Sequence, residues 1–152
     1  MRIGVISDTH GLLRPQALEA LRDCDRIIHA GDIGDAEILE ALASIAPLTA
    51  IRGNVDREPW AREIPPTNVL EVENISIYIL HNLAELDLQP EAAGFAAVIH
   101  GHSHAPKQES KNGVMYFNPG SAGPKRFKLP VSVGRLIVEN GAVRAEILHL
   151  IG

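Results

Sequence analysis

The chain has 152 residues, of which 45% are hydrophobic and 22% charged, and its formal net charge at pH 7 is −5. That length and apolar content suit one compact domain over 1–152 with a packed core, and the acidic balance argues against a basic surface for duplex nucleic acid. No apolar stretch approaches the roughly 20 residues of a membrane helix, so no membrane partner is expected.

The chain opens on RIGVIS, a short β-branched-rich run that stops at DTHG. It reads as a first strand, because the long apolar core and cleavage site of a signal peptide are missing. RPQALEALRD follows, with Pro15 at a helix start and Leu18 and Leu21 on one face. Just after it, Cys24 is the sole cysteine of the chain. It can form no internal disulfide and reads as a small core or surface residue, and a cytoplasmic location is the expectation. DRIIHAGD is the second apolar run and stops at Gly31-Asp32; Asp35 then caps a second helix, AEILEALASI. PLTAIRGN is the third run and stops at Gly53-Asn54. The first third thus alternates strand and helix, the pattern of parallel βαβ units.

EIPPTN, residues 63–68, reads as a loop. NVLEVENISIYILH reads as two strands around a turn near Glu73-Asn74. Asn112-Gly113 and Asn140-Gly141 are hairpin signals in ESKNGVMYFN and VGRLIVENGAVRAEILHL. The end of the chain is therefore expected to form an antiparallel sheet. Parallel units followed by hairpins predict an α/β fold, a β-sandwich of two sheets packed face to face and flanked by helices.

Five apolar runs end on a side chain able to bind a metal. The first delivers Asp8 and His10, the second Asp32, the third Asn54, the fourth (ISIYIL) His81, and the fifth (AAVI) His102 and His104 within GHSH. Ligands of α/β sheets bind outside the carboxyl ends of the strands, so these distant segments are expected to meet at one edge. Each piece alone has a plainer reading: a turn with a capping carboxylate at Asp32, a tight turn at Asn54, a packed histidine at His81. GHSH is the stronger signal, because alternate residues in extended backbone project to one side. Imidazoles, carboxylates and an amide without thiolate suit Mn, Fe, Co, Ni or Zn better than Ca or a pure Mg site. The set is too large for one ion and suits two, with Asp32 in the middle able to bridge them. Two metals about 3.5–4 Å apart can activate a water and clamp the attacking and departing oxygens of a phosphoryl group.

SDTHG, HAGDI, RGNVD, the histidine after ISIYIL, and GHSHAP occur in the order of the motifs of the calcineurin-like metallophosphoesterases, and the chain resembles that superfamily. The short length and NPGS, residues 118–121, most resemble its small bacterial and archaeal phosphodiesterase subgroup. The resemblance implies a four-layer α/β/β/α fold. It implies that Asp8, His10 and His104 bind a first metal, that Asp32 bridges, and that Asn54, His81 and His102 complete the second. Manganese is the first expectation, with nickel, iron, cobalt or zinc as alternatives. Catalysis would run through Asp32 and Asn54 by way of a metal-bridging hydroxide that attacks phosphorus in line, on a small phosphodiester substrate. Many larger relatives carry a histidine thought to protonate the leaving group where this chain has Val55. That departure predicts a preference for activated diesters, since a missing general acid costs about 10²–10⁴-fold on a poor leaving group. The rival expectation is a non-catalytic binding scaffold, since the retromer subunit of eukaryotic cells resembles the same fold.

Weaker expectations attach to other residues. His29 and His100 are packed histidines able to orient a ligand. Asp56 reads as a turn cap. Arg52, Lys125 and Arg126 read as solvated charges, with Arg52 and Arg126 as candidate phosphate contacts. Asn118 and Ser121 are expected to pin the NPGS turn behind the metal loops, and His149 to play no part. A homodimer is the commonest assembly and remains an option.

Overall fold

The computed structural model describes residues 1–151. Its first half runs β1 Arg2–Ile6, α1 Pro15–Leu21, β2 Arg26–His29, α2 Ala36–Ala43 and β3 Leu48–Ala50. A 3-10 turn Pro59–Glu63 leads to β4 Thr67–Val72 and β5 Ile75–Leu80. A second 3-10 turn Leu83–Glu85 and a short helix α3 Pro90–Ala93 precede β6 Ala97–Ile99. β7 Lys107–Lys111, β8 Val114–Asn118, β9 Val131–Glu139 and β10 Ala142–Ile151 close the chain. The strands form two mixed five-stranded sheets, β10-β9-β1-β2-β3 and β4-β5-β6-β8-β7.

Side-chain alternation explains the layers. Ile3, Val5, Ile28, Ile77, Ile79, Ile99, Phe117 and Leu136 fill the space between the sheets. The odd-even partners point outward: Ile6 and Ile27 meet Ala17, Leu21, Ile38 and Leu42 of α1 and α2. Gly4 lies on that outward face because a Cβ there would run into Leu21 and Cys24. The other outer face, Tyr78, Leu80, Val98 and Tyr116, is covered by Leu83, Leu86, Leu88 and Phe95. The fourth layer is therefore thin, a 3-10 turn and the four-residue α3.

The βαβ reading of the first third holds: β1, β2 and β3 are parallel neighbours. Pro15 takes the first turn of α1, and the Asp35 carboxylate accepts from the Glu37 amide at the start of α2. Three two-residue turns, Glu73-Asn74, Asn112-Gly113 and Asn140-Gly141, have positive φ at both positions, as a type I′ hairpin requires. Two expectations need correction. The closing hairpins do not share one antiparallel sheet: β7-β8 joins the second sheet, while β9 pairs with β1 and carries β10 with it into the first. The EIPPTN loop also ends sooner than its composition suggests, with Thr67 and Asn68 already in β4.

Candidate metal centre

The loops leaving β1, β2, β5 and β6 meet at one edge of the sandwich. Asp8 is fully buried, and its Oδ1 lies 3.8 Å from His10 Nε2, 3.7 Å from His81 Nε2 and 3.4 Å from His104 Nε2. Asp32 Oδ2 lies 3.7 Å from His10 Nε2 and 3.1 Å from His81 Nε2. The ligand atoms fall into two groups, Asp8-His10-His104 and Asp8-Asp32-His81, each with all its donor atoms within 4.8 Å of one another. Asp8 is common to both groups, and Asp32 stands between His10 and His81. His102 and Asn54 are exposed and outside these groups. They line a cavity together with His81, and the His102 ring stands edge-on to His81 at 5.3 Å between centroids.

Hydrogen bonds explain why the carboxylates aim as they do. Asp8 Oδ2 accepts from the Ser7 hydroxyl at 2.8 Å and the His102 amide at 3.1 Å, which leaves Oδ1 facing the imidazoles without a hydrogen bond. His81 Nδ1 lies 2.7 Å from the Ala30 carbonyl and so carries the proton, which leaves Nε2 a lone pair. That buried Nε2 also has no hydrogen-bond partner, although Asp32 Oδ2 is close. Acceptors facing acceptors in a buried cluster call for a positive charge between them, since an unsatisfied buried group costs about 1–3 kcal/mol. Divalent cations fit this donor set. Without one, the protons shift to compensate. Burial acts to raise Asp8 and Asp32, but the neighbouring imidazoles outweigh it and hold both carboxyls below their usual value. Burial acts to lower His81, but Asp32, the Ala30 carbonyl and Asp8 outweigh it and raise that ring. His104 is lowered, by burial first and by the charges of Arg126 and His10 as well.

The GHSH argument from extended backbone fails. His102 and His104 lie outside any strand with φ of 75° and 64°. Asp8, His10 and Asp32 share this left-handed geometry, with φ of 55°, 47° and 56°. Such residues cost free energy and persist only where the surroundings over-determine them. Here the surroundings are backbone hydrogen bonds between loops: Asp8 N–H to the Gly31 carbonyl, His10 N–H to the Asp32 carbonyl and Gly11 N–H to the Ile33 carbonyl, at 2.8–3.0 Å. Gly53 and Gly101 complete the packing, because a Cβ on either would overlap the Asp32 or the Ser7 and Asp8 side chains.

Asp56 is more than a turn cap. Its buried carboxylate accepts from the Ile33, Gly34 and Gly53 amides at 2.8–3.0 Å and so ties the Asp32 loop to the Asn54 loop. Asn118 behaves as expected, donating to the Gly101 carbonyl and the Ser103 hydroxyl, while the Ser121 hydroxyl donates to the Asp8 carbonyl. His29 is buried between Thr9 and the Gly31 amide. His100 is buried on the far side of the GHSH loop, and burial lowers its pKa to about 4. Arg52 is half-buried on the cavity wall, with Nη1 donating to the Ile64 carbonyl at 2.6 Å. Arg126 is exposed, and Lys125 and His149 line a separate surface hollow. Sequence reasoning missed Ser7 and Thr9, whose plain hydroxyls give no signal beyond adjacency to Asp8.

Residues 1–141 match the calcineurin-like phosphoesterase superfamily domain. The chain is 33% identical over 161 aligned positions to a probable metallophosphoesterase of Methanothermobacter thermautotrophicus, with 98% of this chain and 92% of that protein covered. A solved structure described as a novel archaeal phosphodiesterase superposes with a TM-score of 0.80 at 26% identity, covering 97% of this chain and all of that one. Vps29 of Entamoeba histolytica, solved in complex with zinc, superposes with a TM-score of 0.75 at 20% identity over 99% of this chain and all of that one. At that identity it speaks for the fold.

Proposed function

The chain belongs to the calcineurin-like phosphoesterase superfamily, and from that premise we propose that it is a phosphodiesterase working with two divalent transition-metal ions, manganese first. One observation carries the reading: Asp8 Oδ1 and His81 Nε2 are buried acceptors, without hydrogen bonds, turned toward other acceptors. Asp8, His10 and His104 would hold one ion; Asn54, His81 and His102 the other; Asp32 would be shared. Two such ions supply an activated water and neutralise charge on the phosphoryl oxygens. The protein's own part is positional. Ser7 and the His102 amide fix the Asp8 carboxylate, and the Ala30 carbonyl fixes the His81 tautomer. Asn54, exposed and lining the cavity, would offer its carboxamide to an ion or a phosphoryl oxygen. Arg52, which lines the cavity, and the exposed Arg126 would serve as contacts for the substrate phosphate.

Val55 supplies only its backbone amide, which donates to Asp32 Oδ1 at 3.2 Å. Its exposed side chain holds no proton for a leaving group, which favours esters whose leaving group needs none. The metal-stripped protein reloaded with Mn²⁺ is therefore expected to hydrolyse bis(p-nitrophenyl) phosphate, with EDTA abolishing turnover. Asp32→Ala should lose bound metal and activity together, read by metal analysis and nitrophenolate release. Undiminished turnover in chelated enzyme would overturn the reading. A scaffold role is the second reading, favoured by the likeness to Vps29. Because that Vps29 was solved with zinc, metal binding alone does not separate the two; turnover does.

A further inference from the structure

On its Asn54, His81 and His102 side the candidate centre opens into a cavity of about 750 Å³. Small-ligand sites run to roughly 300–1,000 Å³, so this space holds far more than a phosphoryl group. His81, only 6% exposed and with Nε2 turned away toward Asp32 and Asp8, lines it together with Asn54 and His102. The other lining residues include no candidate metal ligand used above. Tyr78 and Leu80, buried on the outer face of β5, show only their edges to the cavity, and Glu85 and Asp87, at the end of the second 3-10 turn and just beyond it, offer two carboxylates. No ion pair engages Glu85 or Asp87 among the described residues. Arg52 is the cation among the lining residues, and part of its guanidinium is committed to the Ile64 carbonyl.

We propose that this cavity receives the ester arm retained on phosphorus, and that Glu85 and Asp87 make it selective for an uncharged arm rich in hydroxyl groups, such as a glyceryl or glycosyl group. The proposal rests on the phosphodiesterase reading above. Ionised carboxylates only accept hydrogen bonds, and hydroxyl groups are the donors that satisfy them through charge-assisted bonds. The carbon skeleton would border the narrow exposed edges of Tyr78 and Leu80. An arm that carries a further phosphate meets two like charges at the wall and is disfavoured. A plain alkyl arm fills the space and leaves both carboxylates without a donor from the substrate.

Three diesters that share a p-nitrophenyl leaving group and differ in the retained arm test this: glyceryl, propyl and phosphoglyceryl. The Mn²⁺-loaded enzyme is expected to prefer glyceryl over propyl by about tenfold or more in kcat/KM, the scale of one or two charge-assisted hydrogen bonds. The phosphoglyceryl ester should rank last. In Glu85→Ala/Asp87→Ala the glyceryl-to-propyl ratio should fall toward one, and the penalty on the phosphoglyceryl arm should shrink. Both positions are exposed, so folding is not at stake. Equal turnover of glyceryl and propyl esters by the unaltered enzyme, or a ratio unmoved in the double variant, overturns the proposal alone. Turnover of none of the three overturns the phosphodiesterase reading and this proposal with it.

Discussion

His29 shows how tightly a single buried side chain can be committed. The Gly31 amide donates to its Nδ1 at 3.1 Å. The Thr9 hydroxyl gives its only proton to the Ile33 carbonyl, so His29 Nε2 must be the donor to Thr9 across 3.0 Å. The ring is therefore neutral with its proton on Nε2, and burial, against the pull of Asp8 and Asp56, lowers its pKa to about 4. An unfolded histidine titrates near 6.5, so between about 6.5 and 4 the unfolded chain binds a proton that the folded chain refuses. The His29 contribution to stability must then fall as pH drops through that window, by up to about 1.4 kcal/mol per pH unit. His100, lowered to about 4 as well, adds a term of the same sign. Chemical denaturation of the metal-free protein at pH 7, 6 and 5 measures the slope, and His29→Gln should make it visibly shallower. An unchanged slope would contradict the assignment. Asp8, His10, Asp32, His81 and His104 were legible in the sequence because each follows the end of an apolar run by one to five residues. The parts of Ser7, Thr9 and Asp56 were not, because they depend on amides and carbonyls brought alongside by the fold and on ordinary residue types.

The elements follow local rules where local rules suffice. Asp35 caps α2 with a hydrogen bond of 2.9 Å to the Glu37 amide, and replacing it by alanine should cost about 1 kcal/mol, read from the urea midpoint. The three two-residue turns and the two βα units were visible in the sequence for the same reason: the signal and the structure it specifies lie within a few residues. Sheet membership was not. β9 joins β1 by pairing Leu136 with Ile3 and Gly134 with Val5, a contact between opposite ends of the chain that no short window contains. The left-handed course of GHSH was hidden similarly, since the inter-loop contacts of Gly101 and Asn118 shape it.

Among the described residues, the unpaired buried acceptors and five of the ten left-handed non-glycine residues gather at one rim, and the interior between the sheets stays apolar. A cation that binds this rim and not the unfolded chain must stabilise the fold by mass action, by about 2.7 kcal/mol at a hundredfold excess over Kd for each site. For a chain of this size that raises Tm by at least about 5 °C. A thermal scan with and without Mn²⁺ reads this directly; EDTA should reverse the rise and Asp32→Ala should remove it. The left-handed turns at Asp8, His10, Asp32, His102 and His104, several of them pinned by bonds from one loop to the next, bear on how such a guest comes and goes. Their bends are already made by the polypeptide itself. Loading is thereby a matter of trading protons and water for an ion, and one ion can replace another without the backbone having to find its path again.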